Sequence, residues 1–391
     1  SVSKVGNRIN LSQQQFFIGN HQPSDKLWPI PLNSTCSDMP ELMTEKSVQV
    51  TRTHTTPLRF NVGDGAHFIT KYDQQLLSEL VGEVKADNLS PLDRAQLLNE
   101  QTLLARGNIL PSAQLIPLLD AYKLEQTEAV WDIISMTIGE LKKFVEQDET
   151  SEKQLRALGA RTAAREYERL GWHKVDGEPD TDTKQRATIL GMTLYGEQPD
   201  VINAALTIYR DTTLDALDPE LRPLILSAAV RHGDDSIFDE LLATHKLSNS
   251  AELQQDIASA LTSTKSPGRI DQILALLQDE TVVRPQDAAR WFIWTMRNRD
   301  GRNQSWEWLQ ANWGWIVKTF GGDKSYDDFP RYAAGSLVTR QQLDDYRAFF
   351  TPMLSEPALA RVITMGISEI EARVELIERD SAGVHAALAQ L

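Results

Sequence analysis

The first residues to test for chemistry are the seven histidines: His21, His54, His67, His173, His232, His245 and His385. A zinc site built on one helix needs two imidazoles four residues apart, with a glutamate beside the first. That spacing brings two ring nitrogens to one metal. Here no two histidines stand within ten residues of each other, and H-E-x-x-H does not occur. His232 precedes Gly233, which reads as a helix end, so its imidazole is expected to face the negative end of a helix dipole rather than a metal.

Other catalytic patterns fail on spacing or context. No G-x-S-x-G nucleophile elbow occurs. The single cysteine, Cys36, lies in a Pro/Ser-rich stretch with no histidine near it in sequence, and it has no partner for an internal disulfide. The run from Gly321 to Ser325 has the flavour of a phosphate loop. But the first glycine of that motif would fall on Val317, and its lysine on Asp323. Gly63-Asp64-Gly65 lacks the third glycine of a dinucleotide fingerprint.

Six of the nine tryptophans lie between Trp291 and Trp315. Trp306, Leu309, Trp313, Ile316 and Phe320 follow the 3-4-3-4 spacing of one apolar helix stripe, which reads as core packing. Trp308 and Trp315 fall on another face, to meet a neighbouring helix or to line a groove.

The elements that must position these residues change character near residue 72. Before it, short alternating runs separated by prolines read as strands: Val2 to Leu11, Gln15 to Ile18, Leu27 to Leu32 and Ser47 to Arg52. Leu58, Phe60 and Val62 alternate ahead of Gly63-Asp64-Gly65, which predicts a β-hairpin returning over Ala66 to Tyr72. After it the signals are helical. Ser90-Pro91-Leu92-Asp93 is a strong helix start, Asp218-Pro219-Glu220 resembles it, and Thr339 with Gln342 makes a capping box. Further helices are expected at 113–122, 126–145, 151–170, 182–195, 200–210, 235–244, 251–261, 267–277, 285–296, 303–320 and 356–378. The fold class is therefore mainly α, an α-solenoid of armadillo- or HEAT-like helical hairpins (residues 73–391) preceded by a small antiparallel β-sandwich (residues 1–72).

A chain of 391 residues can bury a large core, and 41% apolar with 24% charged residues is ordinary for a globular protein. A net charge of −15 speaks against nucleic-acid or anionic-membrane partners, which need concentrated Lys and Arg. No run approaches the roughly 18 apolar residues of a membrane span. No signal pattern opens the chain and nothing speaks for secretion, so a cytoplasmic protein is expected. It starts without Met, inside what reads as a strand, so a fragment of a longer chain is expected.

Several of these stretches carry a family resemblance. Phe60-Asn61, His67-Phe68 and Tyr72-Asp73 resemble the segment joining the β-sandwich to the helical domain in the aminopeptidase N family of zinc aminopeptidases. Arg297-Asn298-Arg299-Asp300-Gly301-Arg302, followed by Trp306-Glu307-Trp308-Leu309 and Asn312-Trp313, resembles that family's Arg-Asn-Pro-x-Gly-Arg…Trp segment, with Arg299 where proline is common. Glu125 with Trp131, Leu170-Gly171-Trp172, Ala260 to Lys265 and Phe349-Phe350 match in the same order, so the resemblance covers nearly the whole chain. The family's zinc motif and its Gly-Ala-Met-Glu-Asn motif are absent.

The resemblance implies the C-terminal, non-catalytic portion of a zinc-dependent aminopeptidase that removes N-terminal residues from peptides. In it the helices would form a bowl that encloses the active site and positions peptides. It further implies no cofactor in this portion, zinc in the missing catalytic domain, and two partners: peptide substrate and that domain of the same chain. Lys265, Arg297 and Arg302, the basic residues inside the best-matching stretches, are the candidates for holding a peptide carboxylate. The alternative is a free-standing α-solenoid adaptor that binds protein partners.

Overall fold

Among the described residues five strands form, the longer ones where apolar and polar residues alternate: β1 (Val2–Val5), β2 (Arg8–Ser12), β3 (Ile30–Pro31), β4 (Leu42–Met43) and β5 (Ser47–Thr51). The computed structural model describes residues 1–19, 22 and 24–391, so His21 lies outside the described residues. β1, β2 and β5 make one antiparallel sheet in that order, with Ile9 opposite both Lys4 and Val50. β3 and β4 make a separate two-residue ladder. The alternation puts Ile9 and Leu11 into the core and leaves Arg8 and Ser12 in water. No strand forms over Gln15 to Ile18, and Leu27 to Leu32 contributes only β3. Pro29 and Pro31 flank Ile30 and cannot donate to a ladder.

The expected hairpin around residue 63 is not a hairpin. Asn61, Gly63 and Asp64 take positive φ of 54°, 75° and 52°, so the backbone bends as the glycines suggest. But the bend is a short 3₁₀ turn, Val62–Asp64. The buried Asn61 side chain closes it, donating to Ala66 O at 2.7 Å and accepting from Ala66 N at 2.9 Å. This local closure occupies groups that a strand ladder would need. Tyr72 makes one parallel bridge to Val2, and the Asp73 carboxylate accepts both from Lys4 N (2.6 Å) and from Leu76 N (2.9 Å). One side chain therefore ties β1 to the start of the first helix.

The contacts divide the chain into two compact units, residues 1–196 with 376–391, and residues 197–375. The first holds the strands and α1 (Gln74–Lys85), α2 (Pro91–Arg106), α3 (Leu115–Asp120), α4 (Glu128–Val145), α5 (Glu149–Leu170) and α6 (Asp180–Tyr195). Ser90 caps α2 by accepting from Asp93 N at 3.2 Å, as the sequence predicts. α2 packs on α4, α4 on α5 and α6, and α5 on α6. Leu98, Trp131, Ile134, Leu158 and Ile189 are among the fully buried side chains there.

The second unit holds α7 (Pro199–Asp211), α8 (Arg222–His232), α9 (Ser236–Leu247), α10 (Ala251–Leu261), α11 (Pro267–Leu276), α12 (Pro285–Arg297), α13 (Arg302–Ala311), α14 (Trp313–Phe320), α15 (Asp328–Ser336), α16 (Arg340–Phe350) and the larger part of α17 (Pro357–Leu388). α8 packs on α10, α10 on α12 and α12 on α15, while α9 and α11 pack against the helices that follow them in sequence. The capping box of Thr339 and Gln342 is present at α16.

Three expected spans differ. The helix over 303–320 breaks at Asn312, whose side chain turns back to donate to Trp308 O at 2.9 Å, giving α13 and α14. α8 begins at Arg222 with Pro223 in its first turn, rather than at Pro219. The helix expected to end near residue 378 continues to Leu388, because Val384 and Leu388 extend its apolar face into the core of the first unit.

Candidate functional site

The two stretches around Lys265 and Arg297, distant in sequence, meet in the second unit. α10 ends at Leu261 and α12 at Arg297, and the loop after each lies at the same edge of the helix stack. Asn298 joins them, its side-chain amide donating to Thr262 O at 3.0 Å and Thr264 O at 2.7 Å. Its own carbonyl-type oxygen accepts from Asp300 N at 3.2 Å. Arg231, from the end of α8, donates to Ser263 O at 2.5 Å and lies 3.6 Å from the Asp300 carboxylate. The ends of the alternate helices α8, α10 and α12 are thus bonded to one another.

Gly301 is required by this packing. A Cβ there would lie 2.9 Å from Thr295 O and 3.0 Å from its methyl group, with no flexible side chain to yield.

The three sequence-predicted basic residues have different surroundings. Lys265 pairs with Glu197 at 2.9 Å. Arg297 is exposed and lies over the Tyr332 ring, 5.0 Å from its centroid. Arg302 is buried, in the first turn of α13. Sequence reasoning missed Asn298, Arg231 and Glu197 as the residues that hold this edge, since partners about 30 to 70 positions apart leave no periodic trace.

The tryptophan stripe packs as expected. Trp306 and Trp313 meet Phe350 of α16 at 6.1 and 5.3 Å between ring centroids. Trp308 meets Phe292 of α12 at 5.9 Å and Trp315 edge-on at 5.8 Å, so these rings join a neighbouring helix.

The first unit contains a cavity of about 870 Å³ lined by Phe16, Trp28, Ile30, Phe68 and the carboxyl-bearing Asp64 and Glu100. Glu100 is buried and accepts from Thr70 N at 3.1 Å and from the Gln96 amide at 3.2 Å. Burial pushes its carboxyl up to about 8, against the pull of the Thr70 N–H. Nearby, Arg94 grips both oxygens of Glu125 at 2.6 and 2.9 Å. Burial alone would push Glu125 up, but Arg94 and the Thr127 and Gln126 amides hold it below the usual glutamate range.

Among the described residues, no group of three or more His, Cys, Asp and Glu side chains is placed to hold a metal ion. His245 is buried edge-on against Trp291, 5.1 Å between centroids, and burial lowers its pKa. His385 bonds Phe144 O at 2.7 Å. No helix among the described residues is long and apolar enough to cross a membrane.

The described residues are mainly helical, with a small antiparallel sheet near the start of the chain. The profile of the ERAP1-like C-terminal domain family matches residues 58–372, and the chain belongs to that family. It is similar to Aminopeptidase N of Lactobacillus helveticus, 34% identical over 98% of this chain and 46% of that protein. It is 31% identical to Aminopeptidase N of Lactococcus lactis subsp. lactis, over 99% of this chain and 47% of the relative. Aminopeptidase M1-B of Oryza sativa subsp. japonica is 22% identical over 95% of this chain and 45% of its own length. The chain therefore spans a little under half the length of these relatives.

Proposed function

We propose that this chain is the C-terminal, non-catalytic portion of a zinc-dependent aminopeptidase, and that its helices enclose the active site and restrict and position peptide substrates. The observation that carries this reading is the pairing of a match along nearly the whole chain with coverage of under half of each aminopeptidase relative. Zinc belongs, in this reading, to a catalytic domain of the same polypeptide, and the protein is cytoplasmic. The architecture is a small β-sandwich to residue 72 followed by an α-solenoid bowl. Two observations favour the solenoid: the stacking of α8, α10, α12 and α15, and the loop-to-loop bonds at one edge.

Lys265, Arg297 and Arg302 are the proposed peptide-binding set. Arg297 offers its guanidinium directly, Lys265 would exchange Glu197 for a peptide carboxylate, and Arg302 would add a third cation from the first turn of α13. The test is an aminoacyl-nitroanilide assay on the isolated chain with added zinc, beside a search of the upstream reading frame for H-E-x-x-H. No turnover and an upstream motif are expected. Turnover abolished by a chelator, or a start codon immediately before Ser1, would overturn the reading.

A further inference from the structure

Arginines in this acidic chain are mostly matched to carboxylates. Arg222 pairs with Glu252 and Asp256, Arg269 with Asp235 and Asp239, and Arg347 with Glu371. Three exposed arginines on α12 and α15 are different. Arg290, Arg297 and Arg331 form no ion pair with a described carboxylate, and each lies against an aromatic ring instead. Arg290 is 6.0 Å from the Trp294 centroid. Arg297 and Arg331 lie 5.0 and 5.8 Å from the centroid of the same ring, Tyr332. Residues 290, 294 and 297 fall on one face of α12, and α12 packs on α15, so the five side chains form one patch.

The chemistry of such a patch is defined. An aromatic face restrains a guanidinium while leaving its N–H edge free to bind a carboxylate through two parallel bonds. Two cations against one ring repel each other, and an anion between them removes that repulsion. We propose that this face of α12 and α15 docks acidic peptide segments, with Arg290, Arg297 and Arg331 holding Asp or Glu side chains over Trp294 and Tyr332. The inference rests on the reading that the chain positions peptides, and it adds a preference for internal acidic residues. A long polyanion fits less well, because Asp323, Asp327 and Asp328 lie at and just before the start of α15 and the whole chain carries a net charge of −15.

The experiment uses the 391-residue chain and two fluorescein-labelled peptides with blocked ends, one carrying three consecutive Glu and one with Gln in their place. Anisotropy at low salt should give binding at least about tenfold tighter for the Glu peptide, weakening as salt rises. Arg290→Ala/Arg297→Ala/Arg331→Ala together should remove that preference, and Arg297→Lys should reduce it. Thermal unfolding checks that the variants stay folded, and the salt dependence of the wild type tests the idea without any variant. Equal binding of both peptides, a triple variant that still prefers Glu, or tighter binding of a single-stranded oligonucleotide would overturn the inference. Equal binding of both peptides leaves the peptide-positioning reading standing, whereas binding of neither counts against both.

Discussion

Arg94 and Glu125, 31 positions apart, form a two-pronged ion pair in the core of the first unit, and Glu125 also accepts from the Gln126 and Thr127 amides that open α4. A carboxylate that has lost its water is held there by one cation and two backbone N–H groups. Removing Arg94 leaves that charge uncompensated, so Arg94→Ala should destabilise the chain by about 3–5 kcal/mol. Replacing both residues with apolar ones should cost less than the two single changes added together. Urea unfolding of the two singles and the double tests this, and additive effects would contradict it.

Glu100 makes the fold sensitive to alkali. Its folded pKa, about 8, lies above the ordinary value of 4.5, so the folded state binds the proton more tightly than the unfolded chain does. The contribution is fully present below pH 4.5 and is lost as pH rises through 8. Glu100→Gln keeps a neutral hydrogen-bonding group and should flatten the fall in stability between pH 5 and 8.5. Unfolding midpoints at those two pH values provide the measurement, and an unchanged slope in the variant would refute the assignment.

His245 acts in the opposite direction. Burial lowers its folded pKa below the ordinary 6.5, so the stability it contributes is present above that value and lost as pH falls below it. Its Nδ1 has no hydrogen-bond partner among the described residues. His245→Phe keeps an aromatic ring against Trp291 and cannot take a proton. The variant should lose less stability than the wild type between pH 7 and 5, read by thermal unfolding at each pH.

Asn298 is the test of the loop edge. Asn298→Ala deletes both bonds to the 262 and 264 carbonyls, a loss of about 1–3 kcal/mol if those oxygens stay dry. Gly301→Ala should be destabilising for a different reason, the approach of a new methyl group to Thr295 O. Hydrogen exchange should rise at residues 262–266 in the first variant. Unchanged exchange there would mean that Asn298 does not hold the edge.

Much of the helical part was legible because helix starts are local chemistry. Ser90 ahead of Pro91, and Thr339 three residues before Gln342, needed nothing distant to be read correctly. The break at Asn312 was hidden because the stripe from Trp306 to Phe320 keeps its spacing across it, and Trp306 and Trp313 do share Phe350. The turn at 61–65 misled for a related reason. Its positive-φ residues suit a hairpin, but the Asn61 amide bonds its own loop instead.

The ordered matches also resolve into a pattern. Glu125 anchors a helix start, Asn298 clamps two loops, Gly171 takes φ of 54° after α5, and Phe350 receives two indoles. Those residues are fixtures of packing. The sites of Arg290 and Arg331 carried no such signature, since isolated exposed arginines are common and only the folded chain sets them beside Trp294 and Tyr332.

The Asp73 carboxylate answers to a strand residue on one side and a helix residue on the other. Strand and helix therefore meet at a rivet rather than a hinge. A helical piece begun at residue 74 would lose its first cap together with the strand, and neither part would keep its native ending if the polypeptide were nicked there.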